Sequence, residues 1–182
     1  MAYLNTKQRY GALSIGLHWL MLLLIAAVYA AVEFHDEFPK GDPMRKLLLT
    51  WHFQLGLTIL LLAVIRLAFK AMAPTPLISP QPSLIERAGA WAIHLALYLL
   101  MVGMPIAGFI ARTLDDKVTF FFGVPLPMLL SANPDLAETI YDLHGLAGNV
   151  GYFLIGAHAA AALFHHYWKR DNTLLRMLPE RK

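Results

Sequence analysis

Five imidazoles, those of His18, His52, His94, His144 and His158, lie inside runs of apolar residues, where an ionisable side chain is costly unless it has a partner. One buried histidine is adequately explained by an interhelical hydrogen bond. Five call for a test of their geometry. His144 and His158 are fourteen residues apart, which on a helix leaves them about 40° apart around the axis and about 21 Å apart along it. Counted in from the edges of the apolar runs, His144 lies about 6 Å and His52 about 7.5 Å from one boundary, whereas His18 and His158 each lie about 9 Å from the other. Two imidazoles facing each other at one depth can clamp the iron of a planar macrocycle between helices, and two such pairs would hold two b-type haems in a bundle core. His94 also lies about 9 Å deep if its run starts near Ala88. Three histidines therefore compete for two inner positions.

The neighbouring residues fit that chemistry. Gly56 follows His52 by four positions and Gly148 follows His144 by four, so each lies one turn along the same helix face, where a missing Cβ leaves room for a porphyrin. The chain has no cysteine, which removes iron–sulfur clusters, Cys-ligated zinc and covalently attached haem. The eight methionines are scattered at core-like positions and are assigned to packing. No glycine-rich dinucleotide fingerprint occurs, so direct use of a nicotinamide is not expected. Electrons must then enter and leave through diffusible partners. His165 and His166, beside Tyr167 and Trp168, read as interfacial anchors, and His35 falls in a loop.

The elements that must position these side chains are membrane spans. Hydrophobic residues make up 58% of the 182 and charged ones 15%, against about 45–50% and 25% in a soluble domain. Runs long enough to cross a hydrocarbon core of about 30 Å cover approximately 12–32, 47–69, 88–111 and 140–164. The expected fold is an all-α transmembrane four-helix bundle with two haems in its core, forming a single integral-membrane domain over 1–182. Pro105 and Gly103 should bend the third span. The first run, about 21 residues with His18 inside it, is too long for a signal-peptide core of 7–15 residues. The net charge of +3 reflects the flanks of spans, and no nucleic-acid groove is expected.

Ten of the fifteen Lys and Arg residues fall in the N-terminal tail, the C-terminal end of span two (Arg66) with the segment that follows it, and the C-terminal tail. By the positive-inside rule both termini are cytoplasmic. Nine of the twelve carboxylates fall in the opposite loops, beside Lys40, Arg45, Lys46, Arg112 and Lys117.

Several stretches resemble the bacterial cytochrome b561 family of small four-helix dihaem membrane proteins: Ser14-Ile15-Gly16-Leu17-His18-Trp19-Leu20, the His52 segment, Pro74-Thr75-Pro76, Tyr98-Leu99-Leu100, and Asn149 through Ala160 around His158. The similarity continues through His165-His166-Tyr167 and Asp171-Asn172-Thr173-Leu174-Leu175-Arg176. The resemblance implies axial ligation of a cytoplasmic-side haem by His18 and His158 and of a periplasmic-side haem by His52 and His144, leaving His94 as a helper beside a haem. It further implies a multi-pass protein of the bacterial inner membrane that moves electrons between a quinone and another carrier, superoxide being a donor proposed for some members. No side chain is assigned a catalytic role. The outer loops, with nine carboxylates against five bases, argue by count against steering of an anion such as superoxide.

Arg9 and Arg66 are candidates for the propionates of an inner haem, Arg45 and Lys46 for those of an outer one, with snorkelling to lipid phosphate as the competing fate. Pro74, Pro76, Pro80 and Pro82 stiffen the segment after span two, a candidate neighbour for quinone. Two other readings compete. One is a cytochrome b anchor subunit of a hydrogenase or formate dehydrogenase complex, which the short loops disfavour. The other is a haem-free transporter of metal or protons, which lacks intramembrane carboxylates because Glu33 and Asp142 lie at span edges.

Overall fold

The computed structural model describes residues 3–179, so Arg181 and Lys182, counted above for orientation, lie outside the described residues. Each apolar run folds as one long helix: α1 (Ala12–His35), α2 (Pro43–Met72), α3 (Leu84–Leu114) and α4 (Pro134–Phe164). All four are long and apolar enough to cross a membrane. They overshoot the apolar runs because capping residues sit in the polar flanks. Asp42 accepts from the Met44 N–H at 2.7 Å with Pro43 at the first helical position, and Asn133 accepts from Leu136 at 3.1 Å ahead of Pro134. Ser83 and Glu86 form a reciprocal capping box. α1 starts at Gly11 without a side-chain cap. A Cβ on Gly11 would collide with the backbone of Tyr3 and Leu4, so the tail can fold back only over a glycine.

α1 packs along α2, α2 against α3, and α3 along α4. Met21, Ile59 and Ala63 form the buried centre, with Leu24, Leu62 and Met101 against it. Most other large apolar side chains face outward, Leu23 at 68% and Phe153 at 80% exposure. A water-soluble bundle would bury such a stripe; here lipid must cover it. α3 continues as a helix through Pro105.

α1 and α4 meet through tyrosines. The Tyr29 hydroxyl donates to the Gly148 carbonyl at 2.8 Å, its ring lies 4.4 Å from that of Tyr152, and Tyr152 donates to Glu33 at 2.5 Å. A Cβ on Gly151 would run into the Tyr29 hydroxyl, so that glycine sets the approach of the two helices.

Two short strands, β1 (Phe120–Phe121) and β2 (Val124–Pro125), pair antiparallel in the loop between α3 and α4. Phe122 and Gly123 take the positive φ angles that a tight hairpin turn requires. Gln54, buried on α2, docks this hairpin by donating to the Phe120 carbonyl and accepting from the Phe122 N–H, both at 2.9 Å. The hairpin was not part of the helical expectation, and its two-residue strands leave no alternation long enough to read.

At the other end, α4 passes into a π-helical turn (His165–Lys169), and a C-terminal strap follows with a 3₁₀ turn (Leu175–Met177). His165 is no simple interfacial anchor: its Nδ1 donates to Asp171 at 2.5 Å, and the two side chains fasten the strap to the end of α4. Tyr167 and Trp168 do face outward, at 73% and 78% exposure.

Candidate functional site

The helix faces bring four of the five intramembrane histidines together in two pairs. His52 on α2 and His144 on α4 have ring centroids 6.1 Å apart. His18 on α1 and His158 on α4 are also 6.1 Å apart. A metal–imidazole bond of about 2 Å, with roughly 1 Å more from nitrogen to ring centre, puts two rings trans on one iron about 6 Å apart. Both pairs have that separation. Two imidazoles make only half of a tetrahedral zinc shell, but they complete the axial positions of an iron porphyrin.

His52 and His144, the pair expected on the outer side, line a cavity of about 470 Å³ bounded by Gly56, Met104, Gly108, Gly145 and Tyr152 among others, within the range of cofactor pockets. A Cβ on Gly56 or Gly145 would meet nothing within 4 Å, and one on Gly148 would only touch Met104 at 3.7 Å. The glycines therefore hold open space and do not serve close helix packing, which is what a flat macrocycle beside its ligands needs. On Gly108 a Cβ would come 3.3 Å from His144 Cε1, so a side chain there would press on a candidate ligand. A haem fits these residues.

The inner pair has a third imidazole beside it. His94 lies 5.3 Å from His158, ring to ring, closer than His18 does. Its Nδ1 is 2.6 Å from the Ala90 carbonyl. A carbonyl only accepts, so in a neutral ring Nδ1 carries the proton and Nε2 keeps its lone pair. Arg66 acts electrostatically on all three inner rings.

A second pocket, about 480 Å³, opens beside the outer cavity and is lined by Lys40, Arg45, Lys46 and Arg112 with Asp42 the one carboxylate. Arg112, Phe53, Leu49 and Thr119 line both spaces. The Arg112 guanidinium lies 4.3 Å over the Phe53 ring and donates to Thr119 Oγ1 at 3.0 Å. Whole-loop charge had argued against anion steering; the folded loops reverse that balance locally. Arg45, considered for a propionate, is already held by the His35 and Phe38 carbonyls and by Asp36 at 2.9–3.0 Å. Its place is therefore in the wall of the basic pocket.

The sequence pattern of the prokaryotic cytochrome b561 family matches residues 9–180. Among similar proteins, cytochrome b561 homolog 1 of Escherichia coli is 37% identical over 174 residues, covering 96% of this chain and 99% of that protein. A Yersinia pestis protein named probable superoxide oxidase CybB is 39% identical over 176 residues, covering 96% and 98%. Cytochrome b561 homolog 2 of Escherichia coli is 31% identical, covering 98% and 95%.

Proposed function

This chain belongs to the prokaryotic cytochrome b561 family of membrane electron-transfer proteins, and from that premise we propose that it binds two b haems and passes electrons through them between an outer donor and a quinone. The observation that supports this most directly is the repeated ring separation of 6.1 Å in the pairs His52/His144 and His18/His158. Each bound haem supplies reversible one-electron iron chemistry. His52 and His144 would ligate the outer one, His18 and His158 the inner one. Four histidines on three helices then fix two levels about 21 Å apart along α4. The protein tunes each level by what surrounds its ligands.

On the proposed orientation, with both termini cytoplasmic, the basic pocket of Lys40, Arg45, Lys46 and Arg112 opens outward. It suits a small anionic donor such as superoxide, which leaves as dioxygen after giving up one electron. Two such donors, with two protons, balance the reduction of one quinone to its quinol. The pocket concentrates the anion, and Arg112 stands between pocket and outer cavity. That is the reason for preferring superoxide to an uncharged donor.

The test is a reduced-minus-oxidised visible spectrum of the detergent-purified protein with haem counted per chain, followed by its reduction with a superoxide-generating system. Two low-spin b haems per chain, reduced by superoxide and reoxidised by a soluble quinone, are expected. A colourless protein would overturn the ligand assignment, and large co-purifying subunits would favour an anchor role.

A further inference from the structure

The inner end of the bundle gathers cations without carboxylates to match them. Arg66 follows His52 by fourteen residues on α2, which places it on nearly the same face about 21 Å further in, level with His18 and His158. Its charge acts on the rings of His18, His94 and His158, and its Nη1 is buried with no hydrogen-bond partner. Arg176 approaches from the C-terminal strap. Its charge also acts on His94, and its Nε is likewise buried and unpartnered. The rest of that guanidinium is anchored: Nη1 donates to the Pro76 carbonyl, and the group lies 5.4 Å over the Tyr10 ring. The described carboxylates at this end are already engaged, Glu86 with Lys169 at 2.7 Å and Asp171 with His165.

A buried guanidinium nitrogen without an acceptor pays desolvation and recovers nothing. Two of them, brought to the same end of the bundle from positions 110 apart in sequence, call for an anionic group with several oxygens, and the arginine fork matches a carboxylate. We propose that Arg66 and Arg176 together hold the carboxylate side chains of the inner haem, so that the C-terminal strap closes that cofactor site. The inference rests on the dihaem reading above.

The strap is built to present Arg176 in one place. Trp19 Nε1 donates to the Met177 carbonyl at 2.9 Å, Arg9 Nη2 to the Leu178 carbonyl at 2.8 Å, and the Ser79 N–H to Asn172 Oδ1 at 2.9 Å. Residues on both sides of Arg176 are thereby tied to α1, the N-terminal tail and the proline segment. A cation held this way loses little freedom on meeting its ligand. The proline segment after α2, considered above as a neighbour for quinone, also orients Arg176 through its Pro76 carbonyl.

An anionic phospholipid headgroup offers the same oxygen chemistry, so the test separates the two sources. The holoprotein and its Arg66→Gln and Arg176→Gln variants are placed in nanodiscs with and without anionic lipid. Haem per chain, the rate of haem transfer to an apo-globin acceptor, and the two midpoint potentials are then measured. The expected result is about tenfold faster loss of one haem in each variant. The midpoint of that same haem should fall, because a nearby cation favours the reduced form, while the other midpoint stays in place. Arg176→Lys should recover part of both effects, and lipid charge should not matter. Two bound haems with unchanged release and unchanged potentials in both variants would overturn the proposal alone. A change only in anionic-lipid binding would overturn it in favour of a headgroup. A wild-type protein with fewer than two haems would remove the dihaem reading first.

Discussion

The outer and inner histidine pairs share one ring separation, 6.1 Å, and almost nothing else. Around His52 and His144 the cavity is walled mainly by glycines, aromatic rings and apolar side chains, with Glu33 and Asp36 at its edge and the basic pocket beyond Arg112. Around His18 and His158 there is a third imidazole, an arginine at the same level and a strap folded under the bundle. The contrast separates two jobs. Helix periodicity repeats the ligand geometry at two depths with few residues, whereas the surroundings of each pair must be built separately. On the proposed dihaem reading, two chemically identical ligations would become two different electron carriers.

The largest effect should come from removing a ligand at one level only. His144→Ala should halve the haem content, with His18 and His158 keeping their haem. Loss of both would mean that the levels are not independent, and retention of both would falsify the pairing. His94→Ala asks a subtler question of the inner level, since His94 lies nearer to His158 than His18 does. Both haems should stay, with one midpoint displaced and the other fixed. Loss of a haem from this variant would make His94 the ligand in place of His18.

These experiments also mark where sequence reasoning carries and where it stops. The four helices, and the shared face of His144 and His158 at two depths, were legible because both follow from periodicity: apolar runs give spans, and fourteen residues on a helix return to nearly the same face. The choice of His18 as the inner partner came from the family resemblance alone. Helix depth could not choose between His18 and His94. Depth is one coordinate, and rotation about the axis, which brings rings together, depends on packing. The basic pocket was hidden for a different reason. Lys40, Arg45, Lys46 and Arg112 lie on two loops whose total charge is acidic, and only folding separates those bases from most of the carboxylates. Gln54 gave no signal at all, a lone amide in an apolar run whose partner hairpin lies 66 positions away.

A smaller effect is expected on the donor side of the outer level. Lys40→Gln combined with Lys46→Gln removes two charges from the pocket without touching the contacts of Arg112 or Arg45. Reduction by superoxide should slow roughly tenfold at low ionic strength, and the difference should shrink as added salt screens the field. Reduction by an uncharged donor should be unaffected. An equal slowing with both donors would mean that the loops had been distorted and that no anion was being steered.

The smallest effect belongs to the fastening of the strap. Burial would push the Asp171 carboxyl up, but the hydrogen bonds from His165 and Thr173 outweigh it and hold the group below its ordinary range. A carboxylate depressed in the folded protein contributes its stability above the pKa it has when unfolded, and loses it as pH falls through the folded value. Lowering the pH through the acid range should therefore loosen the strap before the helices respond. Asp171→Asn should reproduce that loosening at neutral pH and abolish this group's share of the acid dependence. Amide hydrogen exchange of residues 171–178 reads it directly: faster exchange in the variant at neutral pH, and a smaller difference from wild type in acid, with α2 and α3 unchanged. If exchange in the strap were the same in both proteins at every pH, the His165–Asp171 pair would not be what holds it. The inner level would then depend on Trp19, Arg9 and Asn172 for its closure.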